Sequence, residues 1–234
     1  MMKTVLLATA AVLALSVGGV ASASAAGKAP SIASGHTQFT AQKFNLSPKK
    51  KGDVLYNQNS NDASDAIDSQ VFESTFSEYD DQGADDFTVP KKGSWTITGV
   101  DVTGQFFNGS GPATSEDVTF YEDAKGIPGT AVKGGTFTNL NGSASGGSFS
   151  ITLPKKGMKL KAGTYWVSVQ ANCSFSGGCG EWGWEVSSVQ HGNPAQWQNP
   201  GGGFGVCPTW GPLETCVGST GPDFMFELLG KAKK

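Results

Sequence analysis

From Val54 onward, apolar and polar residues alternate one for one in short segments, and glycine, proline and asparagine clusters cut those segments apart. Phe149, Ile151 and Leu153 alternate with Ser148, Ser150 and Thr152; Tyr165, Val167 and Val169 alternate with Trp166, Ser168 and Gln170. Trp182, Trp184 and Val186 alternate with Glu181, Gly183, Glu185 and Ser187, and Phe224, Phe226 and Leu228 with Asp223, Met225 and Glu227. A period of two places successive side chains on opposite faces of an extended chain, so each segment carries one face that must be buried. No stretch of useful length repeats at the helical period. Turn clusters such as Asn108-Gly109-Ser110-Gly111-Pro112, Gly126-Ile127-Pro128-Gly129 and Asn141-Gly142-Ser143 separate the segments. Half-buried strands on this spacing predict one all-β domain, an antiparallel jelly-roll-like β-sandwich of about eight to ten strands over residues 53–230. Residues 231–234 are expected to be a disordered tail.

Pro-Lys-Lys-Gly occurs twice, at 90–93 and 154–157, each time after a strand-like segment. Equivalent turns at one end of a two-sheet sandwich would account for the repetition.

The chain opens differently. Lys3 precedes the uncharged apolar run Val5–Val17, and small residues follow at Ala21-Ser22-Ala23 and Ser24-Ala25-Ala26. That order reads as a cleavable signal peptide over residues 1–26, cut after Ala23 or Ala26. A membrane-spanning helix needs about 20 strongly apolar residues, more than this run supplies. The mature chain is therefore expected outside the cytoplasm, secreted or periplasmic, with no transmembrane segment. Residues 27–52 form a flexible lead-in with five lysines and no acid, whereas residues 53–86 carry ten acids and no lysine. Solvated acidic loops are the simplest reading of that second stretch.

All 17 basic residues are lysine. Without arginine the chain lacks the side chain that grips phosphate and guanine through two parallel hydrogen bonds. Acids also exceed bases, 20 to 17, which argues against a nucleic-acid partner.

Four cysteines, Cys173, Cys179, Cys207 and Cys216, are an even number in a chain expected to meet an oxidising compartment. Disulfides are the expectation. Three pairings are open, and nearest neighbours are favoured because each pair would close a Gly-rich or Pro-rich loop. The spacings are wider than the paired cysteines of structural zinc sites.

Several strand ends carry a resemblance. Ala84-Asp85-Asp86-Phe87-Thr88-Val89-Pro90 is followed by Trp95-x-Ile97-x-x-Val100, then Val118-Thr119-Phe120-Tyr121. Leu160-x-Ala162-Gly163-Thr164-Tyr165-Trp166-Val167-Ser168-Val169 and Asp223-Phe224-x-Phe226-x-Leu228-x-Gly230 complete the set. Over residues 54–230 the chain resembles a jelly-roll-like domain of secreted bacterial proteins, found alone or appended to exported enzymes and surface proteins. The resemblance implies a fold and a compartment; it transfers no catalytic residue.

Chemistry-bearing patterns are few. The only histidines are His36 and His191, and neither a G-x-S-x-G elbow nor an H-E-x-x-H pair occurs. Glu181 and Glu185 flank two tryptophans, but four residues of extended strand separate them by about 13 Å, beyond the roughly 5.5–9.5 Å that glycoside hydrolysis uses. Asp80, Asp81, Asp85 and Asp86 surround Gly83 and make a structural calcium ion a candidate cofactor.

Trp182, Trp184, Trp197 and Trp210 fall between residues 182 and 210, in sequence rich in Gly, Asn and Gln. Trp197 and Trp210 lie in loop-like sequence, and Trp166 shares a strand face with Ser168 and Gln170. These three are the candidate ligand-binding rings, because flat aromatics stack on the apolar faces of sugars. The function expected is a secreted, non-enzymatic binding or surface-interaction module for carbohydrate or envelope polymer. The alternatives are an exported jelly-roll hydrolase or lyase, and a purely structural accessory domain.

Overall fold

A computed structural model describes residues 29–31, 52–154 and 156–234. The segment expected to be a signal peptide and most of the expected lead-in, His36 included, lie outside the described residues.

The described chain is an all-β antiparallel sandwich. Its strands run β1 Asp53–Asn57, β2 Asp62–Asp68, β3 Gln70–Val71, β4 Gln82–Val102, β5 Gly104–Phe107, β6 Ser115–Asp123, β7 Pro128–Leu140 and β8 Ser143–Ser145. They continue with β9 Ser148–Thr152, β10 Met158–Asn172, β11 Glu181–Ser187, β12 Gln196–Gln198, β13 Gly211–Pro212, β14 Asp223–Phe224 and β15 Phe226–Lys233. A 3-10 turn at Ser74–Tyr79 and the short α1, Leu213–Val217, interrupt them. The larger sheet has the order β1-β15-β4-β10-β6-β7, and the smaller one the order β14-β11-β2 with β5 also on β11. Among the described residues only the two-residue β3 is parallel to its neighbour, β10.

The alternating segments bury the faces their pattern demands. Trp182 and Trp184 on β11 are fully buried between the sheets, with Val186 beside them. The Trp184 ring stacks on Phe224 at 4.4 Å between centroids, and Trp182 meets Phe149 at 5.0 Å. From the larger sheet, Phe87, Val89, Trp95, Ile97, Val100 and Phe120 join the same core. Aromatics of this size dominate core burial, and offset or edge-on packing adds to it. Gly104 lies against Trp182, and a Cβ there would come within 2.6 Å of the indole.

Three readings of local sequence need correction. Pro90-Lys91-Lys92-Gly93 is not a turn between strands: β4 runs through it for 21 residues. The extra residues are absorbed as a bulge, where the pairing jumps from Ser94↔Lys161 to Val89↔Gly163 and Lys92 takes a φ of 66°. A bulge bends a strand without ending it. The second copy does turn, with Gly157 at φ 59° and its amide bonded to the Pro154 carbonyl. The expected disordered tail is also ordered through Lys233, because Lys231, Ala232 and Lys233 pair with Thr96, Trp95 and Ser94 of β4.

The third correction concerns the acids. Asp65, Asp68, Asp81, Asp85 and Asp86 are buried, not solvated. Many of them cap main-chain amides that no strand ladder satisfies. Asp81 accepts from Gln70 N at 3.0 Å, Asp85 from Phe224 N at 2.7 Å, and Asp65 from Thr220 N at 3.0 Å. A buried amide without a partner costs about as much as a lost hydrogen bond, so a carboxylate held beside it is useful.

Both disulfides join nearest neighbours, Cys173–Cys179 and Cys207–Cys216. The first closes the loop after β10, and the second staples the segment carrying Trp210 to α1.

Candidate aromatic and amide platform

The three candidate tryptophans part company. Trp197, on β12, is fully buried in the core, and its Nε1 donates to the Asp68 carbonyl at 2.8 Å. The short loop-like sequence around it conceals a strand, since Gln196, Trp197 and Gln198 pair with Ala84, Gly83 and Gln82 of β4. That pairing turns Trp197 inward and puts both glutamines on the other face of the strand, Gln196 buried and Gln198 half-buried. Trp197 is therefore not a binding ring.

Trp166 lies on the outer face of the larger sheet, directly opposite Tyr121 of β6 and Asp86 of β4. It too is fully covered, with Nε1 donating to Asp123 at 3.0 Å. The segment after β11 reaches the strand beside it: Asn193 donates to Asp86, the register partner of Trp166, through its main-chain amide and, at 2.7 Å, its side chain. Gly126, in the β6–β7 turn, abuts the same Asn193. Trp166 is a floor for the outer face rather than a stacking ring.

Trp210 is the candidate that keeps some exposure. It is half-buried and meets Tyr121 edge-on at 5.7 Å between centroids. Its neighbour Gly211 passes so close to the Cys207–Cys216 disulfide that a Cβ would lie 2.7 Å from Cys216 Sγ. Glycine is required for that passage, and the disulfide then fixes where Trp210 can sit.

Tyr121 extends the site. Its hydroxyl accepts a 2.7 Å hydrogen bond from Gln82 Nε2, and Gln198 Nε2 in turn donates to Gln82 Oε1 at 3.0 Å. All four residues are half-buried. Burial raises the Tyr121 phenol above its ordinary range, so it stays a neutral donor and acceptor. The result is a ring pair bordered by two ordered amides. Tyr121, Gln82 and Gln198 gave no local signal of this in sequence; only the sheet order brings β6, β4 and β12 together.

The aspartates proposed for calcium do not converge. Asp80 accepts from Phe72 N at 2.7 Å, Asp81 is spent on Gln70, Asp85 on Gln58, Phe224 and its neighbour's amide, and Asp86 on Asn193. Among the described residues no group of three or more His, Cys, Asp and Glu side chains is arranged to hold a metal ion. Alternation along β4 is the reason, because it sends Asp85 and Asp86 to opposite faces.

The buried acids instead form two groups with strongly shifted titration. Burial, then Asp223, pushes Asp85 well above the carboxylate range; burial pushes Asp223 up to about 7. Burial, then the charges of Asp81 and Glu181, raises Asp68 likewise. His191, the one described histidine, donates its main-chain amide to Asp223, with Nδ1 3.8 Å from the same carboxylate. Asp86 and Asp223 are too deeply covered to meet a substrate.

The fold and the outer face define a disulfide-stapled β-sandwich with an aromatic and amide patch on one sheet. No family model, no curated protein and no solved structure matches the chain.

Proposed function

We propose that this is an exported, non-enzymatic binding module whose ligand is a glycan or another hydroxyl-rich polymer of the cell envelope. The reading rests on one observation: a half-buried Trp210 set edge-on to Tyr121, whose hydroxyl is held by the Gln82 amide. Sugar rings present C–H faces to aromatic planes and hydroxyls to amides, and binding sites pair an apolar surface with a few fixed polar groups. The two disulfides support an oxidising compartment, in keeping with the leader-like N-terminal sequence.

The test is retention on insoluble cell-wall polysaccharides and on a glycan array. Retention should be lost on Trp210→Ala and weakened by Gln82→Ala. The reading fails if the protein binds no polysaccharide, or if Trp210→Ala binds like the parent.

A further inference from the structure

Glu181 presents a puzzle of position. By alternation it shares a face of β11 with Gly183 and Glu185, opposite the core tryptophans, yet it is fully buried. Part of what covers it comes from far away in sequence. The Ser31 main-chain amide donates to Glu181 Oε1 at 2.9 Å, and Pro30 beside it is buried. The Asn108 side-chain amide donates to the other carboxylate oxygen, Oε2. A carboxylate removed from water needs donors on both oxygens, and here the lead-in supplies one at Oε1.

The seat is closely packed and cross-linked by its own loops. Gly109 and Gly180 press backbone to backbone: a Cβ on Gly109 would fall 2.4 Å from Gly180 N, and one on Gly180 2.3 Å from Gly109 N. Two main-chain bonds, Ser110 N to Gly178 O at 3.3 Å and Gly111 N to Cys179 O at 2.9 Å, zip the same loops together. The Cys173–Cys179 disulfide ties one of them down, and Gln70 Nε2 reaches the Gly180 carbonyl at 3.2 Å. Such a wall loses little freedom when a peptide docks, which is what makes a short segment bind well.

We propose that the notch formed by Asn108, Gly109, Gly180 and Glu181 is a peptide-binding site, and that residues 29–31 of this same chain are its occupant, held as a strap. Recognition uses a main-chain N–H placed on a buried carboxylate and a proline that fills space without needing a hydrogen-bond donor of its own. The strap joins the lead-in to the smaller sheet, whereas the Trp210 platform lies on the larger one; the two sites are independent, and this inference does not rest on glycan binding.

Two measurements test it on the full mature chain. In the first, hydrogen exchange by NMR reads the Ser31 amide, which should exchange on the order of a hundredfold more slowly than an open-chain amide. Exchange at the open-chain rate overturns the proposal, and this readout needs no variant to fold. In the second, Ser31→Pro removes the donor while leaving the sandwich untouched. A fluorescently labelled synthetic peptide of residues 27–34 should then bind that variant at least about tenfold more tightly than the parent, whose notch is already filled. Adding Glu181→Gln to the Ser31→Pro chain should abolish the gain. Equal peptide binding to parent and Ser31→Pro, or no binding to Ser31→Pro, overturns the proposal.

Discussion

The Tyr121 hydroxyl accepts a 2.7 Å hydrogen bond from Gln82 Nε2, and the two residues sit on strands that are not neighbours. Tyr121 belongs to β6 and Gln82 to β4, with β10 between them in the sheet. The tyrosine side chain therefore crosses a whole strand to reach its partner, and Trp210 packs against that crossing ring. Deleting the hydroxyl isolates its contribution. Tyr121→Phe should lower stability by about 0.5–1.5 kcal/mol in urea unfolding, with the m-value unchanged. It should also loosen Trp210, seen as a change in tryptophan fluorescence. An unaltered spectrum would mean that the hydrogen bond does not position the platform.

Trp197→Ala and Trp210→Ala should behave as opposites. Trp197 is fully buried and hydrogen-bonded to Asp68 O, so truncating it should cost about 3–5 kcal/mol. Trp210 is half-buried at the edge, and its truncation should cost clearly less while removing polysaccharide retention. Melting temperatures of the two variants, measured beside their binding, check both halves of the expectation.

Stability should fall as pH rises from about 4 to above 7. Burial raises Asp223 and Glu185 to about 7, with Asp62 adding to the effect at Glu185, and it raises Asp68, Asp81 and Asp85 as well. A carboxyl whose folded-state pKa is raised keeps its proton in the folded chain while the unfolded chain has lost it. Folding is then fully supported below the unfolded value near 4, and the support is withdrawn as pH climbs through the folded value. Each such group withdraws up to about 1.4 kcal/mol per pH unit in that window. Thermal unfolding at pH 5 and pH 8 should show the higher midpoint at pH 5; the reverse order would show that these acids are ionised in the folded protein.

The Cys207–Cys216 bridge closes a short loop, so replacing both cysteines with serine should cost about 2–3 kcal/mol by the chain-entropy estimate. Its effect on binding should be larger than that loss suggests, because the bridge holds Gly211 and thereby Trp210. Polysaccharide retention by the double-serine chain, measured well below its melting temperature, reads this out.

The fold class was legible because side-chain alternation is a local property. Phe149, Ile151, Trp182, Trp184 and Phe226 announce their buried faces within five residues of themselves, and all are buried. The nearest-neighbour disulfides were legible for the same reason, since each closes a loop of local sequence. Strand ends were less so. Pro-Lys-Lys-Gly is a bulge at 90–93 and a turn at 154–157, and which it becomes depends on whether a partner strand continues alongside.

What the sequence alone determined is the alternation, and with it the sandwich and its core rings. What only the tertiary structure decided is the outer surface and the fate of the acids. Trp197 turned inward because β12 pairs with β4, Trp166 was buried on the sheet face where Asn193 reaches Asp86, and Trp210 stayed half-buried beside Tyr121. Asp65, Asp81 and Asp85 went inside to cap amides contributed by residues such as Thr220, Gln70 and Phe224. The physical reason is common to all of them. A hydrophobic pattern is written along the strand itself, whereas a hydrogen-bond partner or a covering loop is supplied by chain that only the sheet order brings near.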